Sequence, residues 1–220
     1  MAKPAAPKAL VLKNIISYFT FLLITWGFYR LLFQLPEEIE ELVIKPVVWL
    51  LPLFVIVVNK ERETLESVGI TLKNLFPSIY LSLALGAVFV IEALVVNFSK
   101  YGSLQFNANI GDKALLTAFG ISVVTAISEE ISFRGYIFSR LWRVFNNEIT
   151  ANLLTTAFWV TIHVPVSIFV WKLAGVDLVT YLFLTAIFGF GSAFIYARTK
   201  NVFSSVLLHV LWQWPIILFR

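Results

Sequence analysis

Apolar runs separated by short polar turns divide the chain at about 14–35, 42–59, 75–98, 114–142, 150–171, 177–197 and 202–219. Each run is close to the roughly 20 residues that an α-helix needs to cross a bilayer. The pattern predicts an all-α fold, a polytopic transmembrane helix bundle of about seven membrane helices, forming a single integral membrane domain over residues 1–220. Lys3, Lys8 and Lys13 precede the first run. That run is longer than a signal-peptide core and is followed by no small-residue cleavage site, so it reads as a retained anchor.

Composition supports the lipid environment. Of 220 residues, 59% are hydrophobic and 14% charged, with a mean hydropathy of +0.85, far too apolar for an ordinary soluble domain. There is no cysteine, which excludes disulfides, thiol nucleophiles and cysteine metal sites, and two histidines are too few for a multi-histidine metal cage. The net charge of +4 does not point to nucleic acid, because the basic residues fall in short loops between apolar runs, where they set topology. With the N-terminus inside, the cytoplasmic side holds Lys3, Lys8, Lys13, Lys60, Arg62, Lys73, Arg140, Arg143, Arg198 and Lys200. The other side holds Arg30, Lys45, Lys100, Lys113, Lys172 and Arg220, and the acidic "PEEIEE" stretch at 36–41 reads there as a solvated turn. Ten against six favours a cytoplasmic N-terminus.

The polar residues inside the runs share a depth. Glu129 is eleven residues before Arg140, about 16 Å along the axis; His163 is thirteen after Thr150, about 20 Å; His209 is nine after Lys200, about 14 Å. Glu92, nineteen residues from Lys73 and so about 28 Å away, belongs near the other interface. A charge at membrane depth costs about 2.5–3.5 kcal/mol on insertion scales, so such residues face a bundle interior and pair there. Glu130 and Arg134 have the i, i+4 spacing of a helical salt bridge. Glu129, about 100° round the helix, has His163 and His209 as its natural partners, in a polar site expected to open toward the cytoplasm. Pro165 frees the carbonyl of Thr161, which at this depth must find a polar cavity or another helix. Trp159, Trp212 and Trp214 read as packing or interface residues, and Gly189, Gly191 and Ser192 as close helix-packing positions.

These residues carry a resemblance. "EEISFR" at Glu129–Arg134 is similar to the EExxxR signature of the CPBP family, the CAAX prenyl endopeptidases and bacteriocin-processing enzymes, which are glutamate-type intramembrane proteases. "WVTIH" at Trp159–His163 resembles the family's FxxxH motif with Trp for Phe, and "HVLWQ" at His209–Gln213 its HxxxN/D motif with Gln last. The resemblance covers residues 114–214, within a motif-bearing helical core at 114–219; the first three helices carry no motif. It implies hydrolysis of a peptide bond in a membrane-associated peptide or protein, with prenylated and peptide-precursor substrates both open. Glu129 and His163 would hold the attacking water, Glu130 and Arg134 would orient the first carboxylate, and His209 and Gln213 would donate to the oxyanion. The resemblance implies no cofactor, and a multi-pass location in a bacterial cell membrane. Alternatives are a zinc metalloprotease built from Glu129, His163 and His209, and a non-catalytic immunity, scaffold or proton-coupled transport protein.

Overall fold

The computed structural model describes residues 6–33, 35–105 and 114–219. Lys3, Lys113, Arg220 and the side chain of Arg30 lie outside the described residues, which leaves the loop-charge argument to the other positions named above. The described residues form seven helices: α1 (Lys8–Leu32), α2 (Glu37–Lys60), α3 (Leu75–Tyr101), α4 (Leu115–Phe145), α5 (Glu148–Val170), α6 (Gly175–Thr199) and α7 (Val202–Phe219). A 3-10 turn, Leu65–Val68, joins α2 to α3, and no strand occurs among the described residues. Helices α1 to α6 are long and apolar enough to cross a bilayer, so the chain is a multi-pass integral membrane protein. In α7 the apolar stretch Val202–Trp214 is shorter.

The first two helices depart most from the expected bounds. Helix α1 starts after Pro7, because Val11 and Ile15 already pack in the core. Helix α2 starts at Glu37, and this corrects the reading of 36–41 as a solvated turn: Glu40 and Glu41 are buried in its first turns. Lys45, placed by the sequence in an outer loop, is likewise inside the bundle and only 3% exposed. The physical reason is mutual neutralisation, since Lys45 Nζ lies 2.9 Å from Glu41 Oε2 one turn earlier.

Helix α4 is the central element. Half of its most apolar window is buried, against 22–33% for the other five long helices, and it touches α1, α2, α5, α6 and α7. Its first α-helical part ends at Glu130, Ile131–Phe138 continues as a π-helix whose residues are all buried, and Ser139–Phe145 is α-helical again. Widened turns of this kind cost regular hydrogen bonding and often occur at functional sites. Pro165 ends the α-helical part of α5, which continues as the π-helix Val166–Val170. The proline ring packs against Gly27 of α1, so the interrupted helix finds a neighbouring helix rather than a cavity. Helices α6 and α7 form a hairpin: Lys200, at φ +53°, closes α6, and the Asn201 side chain accepts from Phe203 N–H at 2.9 Å to open α7. Asn201 also donates to the carbonyls of Thr71 and Lys73, tying this hairpin to the loop after α2.

Four of the basic residues assigned to one side, Lys73, Arg140, Arg143 and Arg198, are paired with carboxylates. Arg140 donates to Glu61 at 2.8 Å and to both the carbonyl and hydroxyl of Ser67, while Tyr136 donates to the other oxygen of Glu61. Arg198 pairs with Glu148, and Lys73 with Glu66. Burial alone would raise the Glu63 carboxyl, but its hydrogen bond from Arg143 and the charge of Arg140 outweigh that and hold it below the ordinary carboxylate value.

The 3-10 turn lies directly on α4 at Gly135, where a Cβ would come 2.5 Å from the Val68 carbonyl oxygen. Backbone on both sides leaves no side chain free to move aside. Gly135→Ala is expected to destabilise the purified protein by about 1–3 kcal/mol. Gly120→Ala, at a helical position with nothing within 4 Å, should be neutral or stabilising by about 0.5–1 kcal/mol. Thermal melts of the two variants in detergent check the difference.

Candidate active site

Three helices deliver Glu129, His163 and His209, and the structure brings them together as their common depth predicts. His209 Nε2 on α7 lies 3.9 Å from Glu129 Oε2 on α4. The rings of His163 and His209 both pack on Trp159, at centroid distances of 4.4 and 5.8 Å. Glu129 interacts electrostatically with both histidines. Glu92 stays outside this group, half-buried on α3.

Elementary hydrogen-bond chemistry fixes the tautomer of His163. Its Nδ1 lies 2.7 Å from the Trp159 carbonyl oxygen, which can only accept, so Nδ1 carries the hydrogen and a neutral His163 presents a lone pair at Nε2. His209 Nδ1 is 2.8 Å from Glu130 Oε1, and donating to that carboxylate leaves its Nε2 facing Glu129.

Glu130 and Arg134 form the expected salt bridge, at 2.9 Å with both side chains fully buried. Glu130 also accepts from Ser192 Oγ at 2.8 Å through its second oxygen, so three donors from three helices converge on one carboxylate. Ser192, read from sequence as a packing position, is therefore a ligand of the buried ion pair. Its signal is non-local, since a serine among glycines looks the same whether it packs or donates. Arg134 also donates to the Gly189 carbonyl at 3.1 Å and stacks its guanidinium on Trp159. Gly189 is the packing position expected of it: a Cβ there would sit 3.0 Å from Trp159 Cδ1.

Glu129 has a further partner. Lys45 Nζ on α2 lies 2.5 Å from Glu129 Oε1, so the two oxygens of this carboxylate face different groups, an ammonium on one side and an imidazole on the other. Behind Lys45, Thr125 of α4 donates to Glu41 at 2.7 Å.

Gln213 is placed apart from the Glu129–histidine group. Its amide oxygen accepts from Ser122 at 2.8 Å, two helical turns before Glu129, so its NH₂ is the end left to donate elsewhere. The polar side chains that continue from Glu129 thus run through Thr125, Glu41, Ser122 and Gln213, away from the basic end. Toward the basic end, Phe133, Tyr136, Ile137 and Phe138 are fully buried on α4. Two surface cavities of about 520 and 630 Å³ lie elsewhere, one beside Asn59 and Arg62 and the other beside Phe33 and Trp171, and neither is lined by these site residues. Among the described residues, no three His, Asp or Glu side chains are arranged to hold a metal ion.

The two glutamates separate by their surroundings. Arg134→Ala removes the guanidinium paired with Glu130 and is expected to cost about 3–5 kcal/mol of stability, the usual penalty for stranding a buried charge. Glu129→Gln leaves Lys45 paired with Glu41 and should cost well under half of that. Chemical or thermal unfolding of the two purified variants checks this ordering.

Residues 111–215 match the family model described as type II CAAX prenyl endopeptidase Rce1-like. No curated protein and no solved structure matches the chain significantly. The matched segment, just under half of the chain, contains Glu129, Glu130, Arg134, His163, His209 and Gln213 together, and residues 111–215 are thus a domain of the Rce1-like type II CAAX prenyl endopeptidase family, a family of peptide-bond hydrolases.

Proposed function

We propose that the protein is an intramembrane endopeptidase that hydrolyses a peptide bond of a membrane-associated peptide or protein with water held between Glu129, His163 and His209. It acts as one membrane domain with a cytoplasmic N-terminus. The observation that carries this reading is the 3.9 Å gap between Glu129 Oε2 and His209 Nε2. That gap is too long for a direct hydrogen bond and short enough for both atoms to reach one water.

The chemistry follows from the groups present. As the water oxygen bonds to the scissile carbonyl carbon, one water proton passes to Glu129 Oε2 and the carbonyl π electrons move onto oxygen. His163, whose Nδ1–H is spent on the Trp159 carbonyl, offers Nε2 as an acceptor that orients the same water. The oxyanion takes a hydrogen bond from His209. For Nε2 of His209 to donate, the ring must carry both protons, and the Glu130 carboxylate on Nδ1 supplies the counter-charge for that state. Collapse of the intermediate breaks the C–N bond, and the proton on Glu129 goes to the leaving nitrogen.

Glu130 and Arg134 do not touch the reacting atoms in this scheme. They hold His209 in place through Glu130 Oε1 and brace α4 against α6 through Ser192 and Gly189.

Purified protein in detergent or liposomes should cleave at least one member of a panel containing a prenylated CAAX-type peptide, its unprenylated counterpart and single-span membrane peptides. Mass spectrometry of the products checks this. Glu129→Gln is expected to lower turnover by about a thousandfold or more, as for loss of a general base and its positioning together. Cleavage undiminished in Glu129→Gln, or no cleavage of any panel member, contradicts the reading.

A further inference from the structure

Lys45 lies on α2, outside the matched segment at 111–215 and outside every motif in the sequence. Its ammonium is buried and makes two close contacts with carboxylates, 2.5 Å to Glu129 Oε1 and 2.9 Å to Glu41 Oε2. The rings of Trp26 and Trp49 flank it at 5.3 and 5.5 Å, which fits a cation held in an aromatic cage. The π-helical segment Glu40–Ile44 immediately precedes it, and Glu41 is fixed from α4 by Thr125.

We propose that Lys45 is a positioning residue of the hydrolytic site, holding Glu129 Oε1 so that Oε2 alone faces the histidines, with Glu41 as the carboxylate that retains the ammonium when Glu129 takes up a proton. This rests on the proteolytic reading above and extends it to α2. A carboxylate with both oxygens free can turn about its terminal torsion, and a displacement of about 1 Å in a reacting group can cost about a hundredfold in rate. An ammonium on one oxygen removes that freedom. Glu41 supplies what a lone Lys–Glu pair would lack. When Glu129 accepts the water proton it loses its negative charge, and a buried Lys45 with no other counter-ion would be stranded. The Glu41–Lys45–Glu129 chain keeps the cation paired at every stage of the cycle.

The chain therefore predicts a division between kcat and KM. Lys45→Met, close in length and uncharged, should lower kcat about a hundredfold with KM within about threefold, measured per amount of folded, monodisperse protein. Lys45→Arg, which restores the charge, should recover at least tenfold of that loss. Glu41→Gln leaves the Lys45–Glu129 contact in place and should reduce kcat by about tenfold, a milder change that still reports if Lys45→Met folds poorly. Independently of turnover, thermal stability of Lys45→Met, Glu129→Gln and the double variant should be non-additive, the double variant regaining stability that Lys45→Met loses. If wild type cleaves and Glu129→Gln does not, while both Lys45→Met and Glu41→Gln keep wild-type kcat, the positioning role is wrong and the proteolytic reading stands. Additive stability effects would likewise overturn the contact. If wild type cleaves nothing on the panel, the proteolytic reading fails and the positioning role falls with it.

Discussion

Charge pairing in an apolar bundle is the constraint on which the rest of this molecule depends. Glu41, Lys45, Glu129, Glu130 and Arg134 are all buried, and an isolated ion at that depth costs several kcal/mol. They are tolerated because each carboxylate has a cation at salt-bridge distance: Glu41 and Glu129 share Lys45, and Glu130 has Arg134. His209 stands between the two groups, 2.8 Å from Glu130 and 3.9 Å from Glu129. Removing any member therefore perturbs the others, and the cluster behaves as a unit.

The backbone accommodates this cluster. Helix α2 widens to a π-helix at Glu40–Ile44, where Glu41 is presented, and α4 widens at Ile131–Phe138, where Arg134 is presented. Helices α6 and α7 meet in a tight hairpin, so Ser192 and His209 reach the same carboxylate from consecutive helices. Small residues admit the large ones: Gly189 lets Trp159 approach, and Trp159 in turn carries the Arg134 guanidinium and both histidine rings.

Much of this was legible in the sequence because it depends on local quantities. Run length gave the helices, the i, i+4 interval gave the Glu130–Arg134 pair, and axial rise alone put Glu129, His163 and His209 in one layer. What was not legible depends on contacts between distant segments. Lys45 and the acids at 40–41 looked like an interfacial loop, because a charged run at a helix start ordinarily seeks water, and only the proximity of Glu129 and Thr125 draws them inward. Ser192 carried no local sign of its hydrogen bond to Glu130. Gln213 was grouped with His209 by its one-turn spacing, yet its longer side chain reaches Ser122 on a neighbouring helix. The complete burial of Phe133 and Tyr136 toward the basic end was hidden for the same reason, since it is a property of the whole bundle.

Lys45 also bears on how water is activated. An ammonium already lies on Glu129 Oε1, so Oε2 is the oxygen left to take the water proton, whereas a metalloprotease would place a metal ion there with the two histidines. The proposed reaction gives the water to Glu129 Oε2 and the two imidazoles, with Lys45 as the permanent cation on Oε1. Its most direct test is elemental analysis of the purified protein, paired with turnover before and after exhaustive chelation. Full turnover after chelation, from protein with no stoichiometric metal, is the result predicted; one zinc per chain, lost together with activity and regained with it on adding zinc, would contradict it.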